Sequence, residues 1–222
     1  METMRWTIPN ILTVLRVLAA PMIAILFLFL PRPLADWVAL VLFVGAALTD
    51  FVDGWIARRY DLGTPFGKML DPIADKAMVV IALAVLFALL GFNWLYVIPA
   101  ALILLREVLV SGLREYLGNV KLDVTRIAKW KTTAQMFAIA FLLGAGALGV
   151  EYDRLAFTLE PAARDAILTG QMADEVGLVA LYLARDFVLV IGLLLLWIAA
   201  VLTVLSGADY FRKAMPHLEA KR

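Results

Sequence analysis

Ala77-Met-Val-Val-Ile-Ala-Leu-Ala-Val-Leu-Phe-Ala-Leu-Leu90-Gly91-Phe92-Asn93-Trp-Leu-Tyr-Val-Ile-Pro-Ala-Ala-Leu-Ile-Leu-Leu105 carries no charge over 29 residues. Gly91-Phe92-Asn93 is turn chemistry and splits the run in two. Each piece is too short to cross a hydrocarbon layer of about 30 Å unless it reaches into its charged flank. Extended in that way, the two pieces become spans 68–90 and 93–117. Their solvent is therefore lipid.

Working outward, four more apolar runs appear, giving spans 10–30, 34–58, 132–150 and 187–208. Pro31-Arg32-Pro33 closes the first, because proline cannot continue a helix. Gly63 and Pro65 mark the turn after the second. The fold class expected is all-α, an integral membrane bundle of six helices in a single domain, 1–222. A hydrophobic fraction of 64% and a mean hydropathy of +0.90 exclude an ordinary soluble domain. Residues 151–186 are expected as an outer loop, with an amphipathic helix around Pro161 to Gln171 that lies on the membrane surface.

Arg5 precedes the first apolar run as it would in a signal peptide, but no small-residue cleavage site follows, so a retained first span is expected. The absence of cysteine excludes disulfides, thiolate ligands and thiol nucleophiles. Six spans put both termini on one side. Of the 20 lysines and arginines, 16 fall on that side, which the positive-inside rule makes cytoplasmic. A multi-pass protein of a bacterial plasma (inner) membrane is the expected setting, and no nucleic-acid partner is expected.

Asp50, Asp53, Asp71 and Asp75 stand where the second and third spans meet the cytoplasmic surface. Charge placed there is expensive and marks a functional site. Asp50 and Asp53 are three apart and Asp71 and Asp75 four apart, so each pair shares a helical face. Four carboxylates drawn together repel unless cations neutralise them, and two divalent ions balance them. All-oxygen donors suit magnesium, calcium or manganese, and paired ions are a device for phosphoryl displacement. Gly54, Ala57 and Gly67 beside these acids leave room for a flat ligand near the backbone, and Arg58 offers a fork to a phosphate.

The pattern Asp50-x2-Asp53-Gly54-x2-Ala57-Arg58-x8-Gly67-x3-Asp71-x3-Asp75 resembles the signature of the CDP-alcohol phosphotransferases at every fixed position and gap. That resemblance implies a six-helix membrane fold, usually a homodimer, with two divalent cations, Mg2+ or Mn2+. It implies metal ligation by Asp50, Asp53, Asp71 and Asp75, with Asp75 also the catalytic general base. It further implies CDP binding at Gly54, Ala57, Arg58 and Gly67.

The acceptor alcohol must be read elsewhere. Arg106, Arg114, Lys129 and Lys131 supply the fixed cations that a phosphorylated acceptor needs. A structural ion pair between Glu107 and Arg114, seven residues apart, competes for the second of these. Arg106-Glu-Val-Leu-Val-Ser-Gly-Leu-Arg-Glu115 and Lys129-Trp-Lys-Thr-Thr-Ala-Gln-Met136 resemble the phosphatidylglycerophosphate synthases, as does Pro9-Asn10-Ile-Leu-Thr13-Val-Leu-Arg16. The implied partners are CDP-diacylglycerol, glycerol 3-phosphate and membrane lipids. Asn10, Thr13 and Arg16 are expected to support the site from the first span. Rival readings are a relative using phosphatidylglycerol or inositol phosphate as acceptor and, from another class, a divalent-cation transporter. The transporter would need acids at mid-membrane or on both sides, and here they cluster at one surface.

Overall fold

The computed structural model describes residues 7–60, 63–118 and 126–219, with the side chains of Arg58, residues 126–129 and Glu219 outside the described set. Every regular element in it is helical: α1 Ile8–Phe29, α2 Leu34–Tyr60, α3 Pro65–Leu90, α4 Trp94–Leu117, α5 Arg126–Ala156, α6 Pro161–Leu168 and α7 Leu178–Glu219. All but α6 are long and apolar enough to cross a membrane. The protein is an all-α integral membrane bundle.

Local chemistry sets the helix ends. Thr64 caps α3 by accepting the Gly67 amide at 3.0 Å, and Pro65 follows as the first helical residue. Gly91 ends α3 at φ 71°, in the left-handed region that glycine enters freely. Asn93 then starts α4 by accepting the Leu95 amide at 2.9 Å. Asp174 accepts the amides of Leu178 and Val179, each at 2.9 Å, where α7 begins. Those amide bonds, chiefly the Val179 one, hold its carboxyl below the usual carboxylate range.

Lipid tails give apolar side chains no reason to leave them, so helix association rests on close packing and small residues. The buried core fits that account. Ala20, Ala39, Ala82, Ala138 and Ala199 interleave with Ile23, Phe43, Leu86, Ile139 and Leu196. The longest seam joins α5 to α7. There Gly192 lies so close to α5 that a Cβ would stand 2.9 Å from Leu142 Cδ2 and 3.2 Å from its backbone nitrogen. Between α3 and α4, the buried Tyr96 hydroxyl donates to the Leu83 carbonyl at 2.5 Å.

Within residues 151–186 the short helix α6 lies where an amphipathic helix was expected, but the flanking spans reach further into the loop than expected. α5 runs on through 151–156, α6 occupies 161–168, and α7 already starts at Leu178, so that it reaches 42 residues rather than 187–208. The reason is that charge does not stop a helix once the charge is matched. Arg185 Nη2 bonds Asp186 Oδ1 at 2.8 Å, and the guanidinium lies over the rings of Tyr152 and Tyr182, 4.8 and 5.2 Å from their centroids. At about 1.5 Å per residue α7 is about 60 Å long, roughly twice the hydrocarbon thickness. At the same end of the bundle, Arg32 forms a two-point bond to the buried Asp36 at 2.5 and 2.8 Å.

Candidate active site

The polar end of the bundle is built by α1, α2 and α3. Arg16, on α1 and 3% exposed, is its hub. Its Nη1 donates to Asp50 Oδ1 at 2.5 Å and to Asp75 Oδ1 at 3.3 Å, and its Nη2 donates to Asp53 Oδ2. Thr13, one turn earlier, donates to Asp71 Oδ1 at 2.7 Å, with the Pro9 carbonyl 3.0 Å away as a competing acceptor. One face of α1 thus touches all four aspartates. Asp53 is buried, whereas the side chains of Asp50 and Asp75 are each 41% exposed, enough for a ligand to reach them.

Asn10 completes this face. Its Oδ1 accepts the Thr64 hydroxyl at 2.8 Å, tying α1 to the cap of α3. A Cβ at Gly67 would stand 2.8 Å from that same Oδ1, so glycine at this position leaves room for the Asn10 amide to hold its bond to Thr64.

Two cavities adjoin the aspartates. One of about 300 Å3 is lined by Asp53, Gly54, Ala57, Gly67, Lys68 and Asp71, among others, with Asn10 and Thr13 on its α1 side. The other, of about 220 Å3, is lined by Asp75, Lys76, Arg106, Arg114, Lys131 and Gln135, with Glu107 and Thr132 beside them. Asp50, Asp75 and Arg16 border a narrow gap of about 10 Å3 with Met78 and Met136.

In the second cavity Glu107 does not pair with Arg114. Its Oε1 accepts from Lys131 Nζ and, at 3.2 Å, from Arg106 Nη1, while Arg114 lies over the Tyr210 ring at 5.3 Å. Spacing along one helix favoured the first pairing, but Lys131 reaches Glu107 from the neighbouring helix α5. Lys76 Nζ donates to Ser111 Oγ, which in turn donates to the Glu107 carbonyl at 2.5 Å. Four cations face two carboxylates here, a wall suited to an anion.

A family model for CDP-alcohol phosphatidyltransferases matches residues 6–169. The chain belongs to the CDP-alcohol phosphatidyltransferase family. It is 52% identical to the CDP-diacylglycerol–glycerol-3-phosphate 3-phosphatidyltransferase of Cereibacter sphaeroides, over 99% of this chain and all of that one. The enzyme of the same name from Rickettsia bellii is 41% identical over 92% of this chain and 93% of its own. That of Salmonella choleraesuis is 41% identical over 69% of this chain and 85% of its own.

Of the residues expected for a phosphatidyltransferase site, Asp50, Asp53, Asp71 and Asp75 gather at one place, and Gly54, Ala57 and Gly67 line the larger cavity. Arg106, Arg114 and Lys131 line the smaller. The side chains of Arg58 and Lys129 lie outside the described residues. Sequence reasoning passed over Lys68, Lys76 and Gln135. Lys68 and Lys76 stand within one turn of Asp71 and Asp75, a spacing that could have flagged them.

Among the described residues no three carboxylates are drawn together as a ready cage for one metal ion. They are drawn around a guanidinium instead. Three carboxylates share that one guanidinium and the fourth, Asp71, meets among the described residues only the Thr13 hydroxyl, which leaves negative charge unmatched, and every donor is oxygen. Both features fit divalent cations of the magnesium kind.

Proposed function

We propose that this chain transfers the phosphatidyl group of CDP-diacylglycerol to the 1-hydroxyl of sn-glycerol 3-phosphate, giving phosphatidylglycerophosphate and CMP; the donor, the acceptor and the group transferred are those in its relatives' names. The observation that carries the reading is the position of the aspartates. They border a cavity edged with small residues on one side and a cationic cavity on the other. A donor nucleotide and an anionic acceptor can thus meet across them.

In this reading Gly54, Ala57 and Gly67 admit the cytidine, while Arg58 and Lys68 face the diphosphate. Arg106, Arg114 and Lys131 hold the phosphate of the acceptor. Asp75, bordering the acceptor cavity, takes the proton from the 1-hydroxyl. That oxygen then forms its bond to the lipid-side phosphorus as the bond from this phosphorus to the CMP oxygen breaks. Divalent cations on Asp50, Asp53, Asp71 and Asp75, when bound, neutralise the charge that develops on the phosphates. Burial of Arg16 and its bonds to three aspartates hold those carboxylates together around one guanidinium.

A cytoplasmic active site and cytoplasmic termini are supported by the distribution of Lys and Arg, and a bacterial membrane by the bacterial sources of the relatives. A homodimer is supported by the resemblance alone.

The test is CMP release by purified protein in detergent with CDP-diacylglycerol and Mg2+. Glycerol 3-phosphate is expected to start release, while phosphatidylglycerol, inositol phosphate and buffer are not. EDTA is expected to stop it. Release driven by another acceptor would retain the aspartate chemistry and overturn the acceptor assignment.

A further inference from the structure

The apolar sixth span contains four residues that do not belong in a purely lipid-facing helix: Thr203, Ser206, Gly207 and Tyr210. Their spacing of three, four and seven residues puts them on one face of α7. Thr203 is fully buried, Ser206 and Tyr210 nearly so. α7 packs along α4, the helix that carries Arg106 and Arg114.

Each arginine meets this stripe. A Cβ on Gly207 would stand 3.0 Å from Arg106 Cγ, so the arginine stem lies in a notch beside glycine and would have to shift for any larger residue. Ser206 Oγ accepts from Arg106 Nη2 in a long contact of 3.5 Å, and donates to the Thr203 carbonyl at 3.1 Å. The Tyr210 ring lies beneath the Arg114 guanidinium, within the range of a cation–π contact. None of the four lines the cationic cavity; they stand behind the groups that do. Arg106 Nε is buried without a hydrogen-bond partner. The stem is therefore clamped while part of the donor fork stays unspent.

Glycine within a helix is less stable than alanine by about 1 kcal/mol, so plain helix stability does not favour it at position 207. A notch for an arginine stem does. We propose that this α7 stripe fixes the directions of Arg106 and Arg114, making Gly207 and Tyr210 positioning residues for the phosphate of the acceptor alcohol. The proposal rests on the acceptor reading above.

The experiment is steady-state CMP release by the full-length protein in detergent, with each substrate varied in turn, for wild type, Gly207→Ala, Tyr210→Leu and Tyr210→Phe. Thermal unfolding is followed in parallel. Gly207→Ala and Tyr210→Leu are expected to raise KM for glycerol 3-phosphate about tenfold, the scale of one misdirected charge-assisted hydrogen bond. The kcat at saturating acceptor, KM for CDP-diacylglycerol and the unfolding temperature should stay near wild type. Tyr210→Phe, which keeps the ring, should restore the wild-type KM.

Unchanged acceptor KM in both Gly207→Ala and Tyr210→Leu would overturn the proposal. So would a rise in both KM values together with a fall in unfolding temperature, which would mark the stripe as mere packing. If Gly207→Ala fails to fold, the Tyr210 pair decides. A wild type indifferent to glycerol 3-phosphate sinks the acceptor reading, and this proposal with it; one that uses glycerol 3-phosphate while the variants keep its KM sinks only the role of α7.

Discussion

Asp75→Asn is expected to lower kcat for CMP release about a thousandfold while leaving the protein folded. Asparagine keeps the volume and one carbonyl oxygen, so the contact with Arg16 Nη1 at 3.3 Å can persist in weakened form. What it loses is the ability to accept a proton, a step that contributes about 10²- to 10⁴-fold in enzymes that use it, together with one negative charge toward the divalent cations. Asp75 borders the cationic cavity, whereas Asp53 and Asp71 border the cavity edged by Gly54 and Ala57. An asparagine at position 75 should therefore act on the acceptor step, with KM for CDP-diacylglycerol little changed. A variant retaining a third of wild-type kcat would remove Asp75 from the role of base.

Arg16→Leu is expected to unfold about 10 °C below wild type in EDTA, and to recover much of that loss in millimolar Mg2+. The first half follows from burial. Arg16 and Asp53 are 3% and 4% exposed, and removing one partner of a buried pair costs about 3–5 kcal/mol because the other is left uncompensated. For a chain of this size each kcal/mol corresponds to about 2–4 °C. The second half follows from charge. Without the guanidinium the four carboxylates repel one another, and an ion that binds only the folded state stabilises it in proportion to the logarithm of its concentration. Unfolding is read by fluorescence or circular dichroism, so the result does not depend on activity. A loss that Mg2+ leaves untouched would count against cations at these aspartates.

The membrane bundle was legible because its signal is additive: an uncharged run such as 77–105 leaves no soluble alternative, and Gly91-Phe92-Asn93 marks the turn within it. The aspartates were legible for a related reason. Helical spacing brings Asp50 to Asp53 and Asp71 to Asp75, and acids at the ends of apolar helices need an explanation. Arg16 was placed beside the site, yet its part as the hub of three carboxylates depends on how α1 docks against α2 and α3, which spacing along one helix does not report. Pairing between helices escaped in the same way: Glu107 meets Lys131 from α5, 24 residues on. Helix ends were misjudged where charge was taken as a stop, because Arg185 is matched by Asp186 and two tyrosine rings. The α7 stripe was hidden by its mildness, since a threonine, a serine and a glycine in an apolar run carry no charge to draw notice.

The central claim is that one chain joins a CDP-activated lipid to glycerol 3-phosphate across the aspartates, and the nature of the lipid product tests it most directly. Purified protein, CDP-diacylglycerol, Mg2+ and isotope-labelled glycerol 3-phosphate are incubated together, and the lipids are extracted and weighed by mass spectrometry. The account predicts a labelled phosphatidylglycerophosphate formed in equal amount with CMP, and absent from the Asp75→Asn reaction. A labelled product that still contains cytidine, or CMP release with the label left entirely in water, would contradict it.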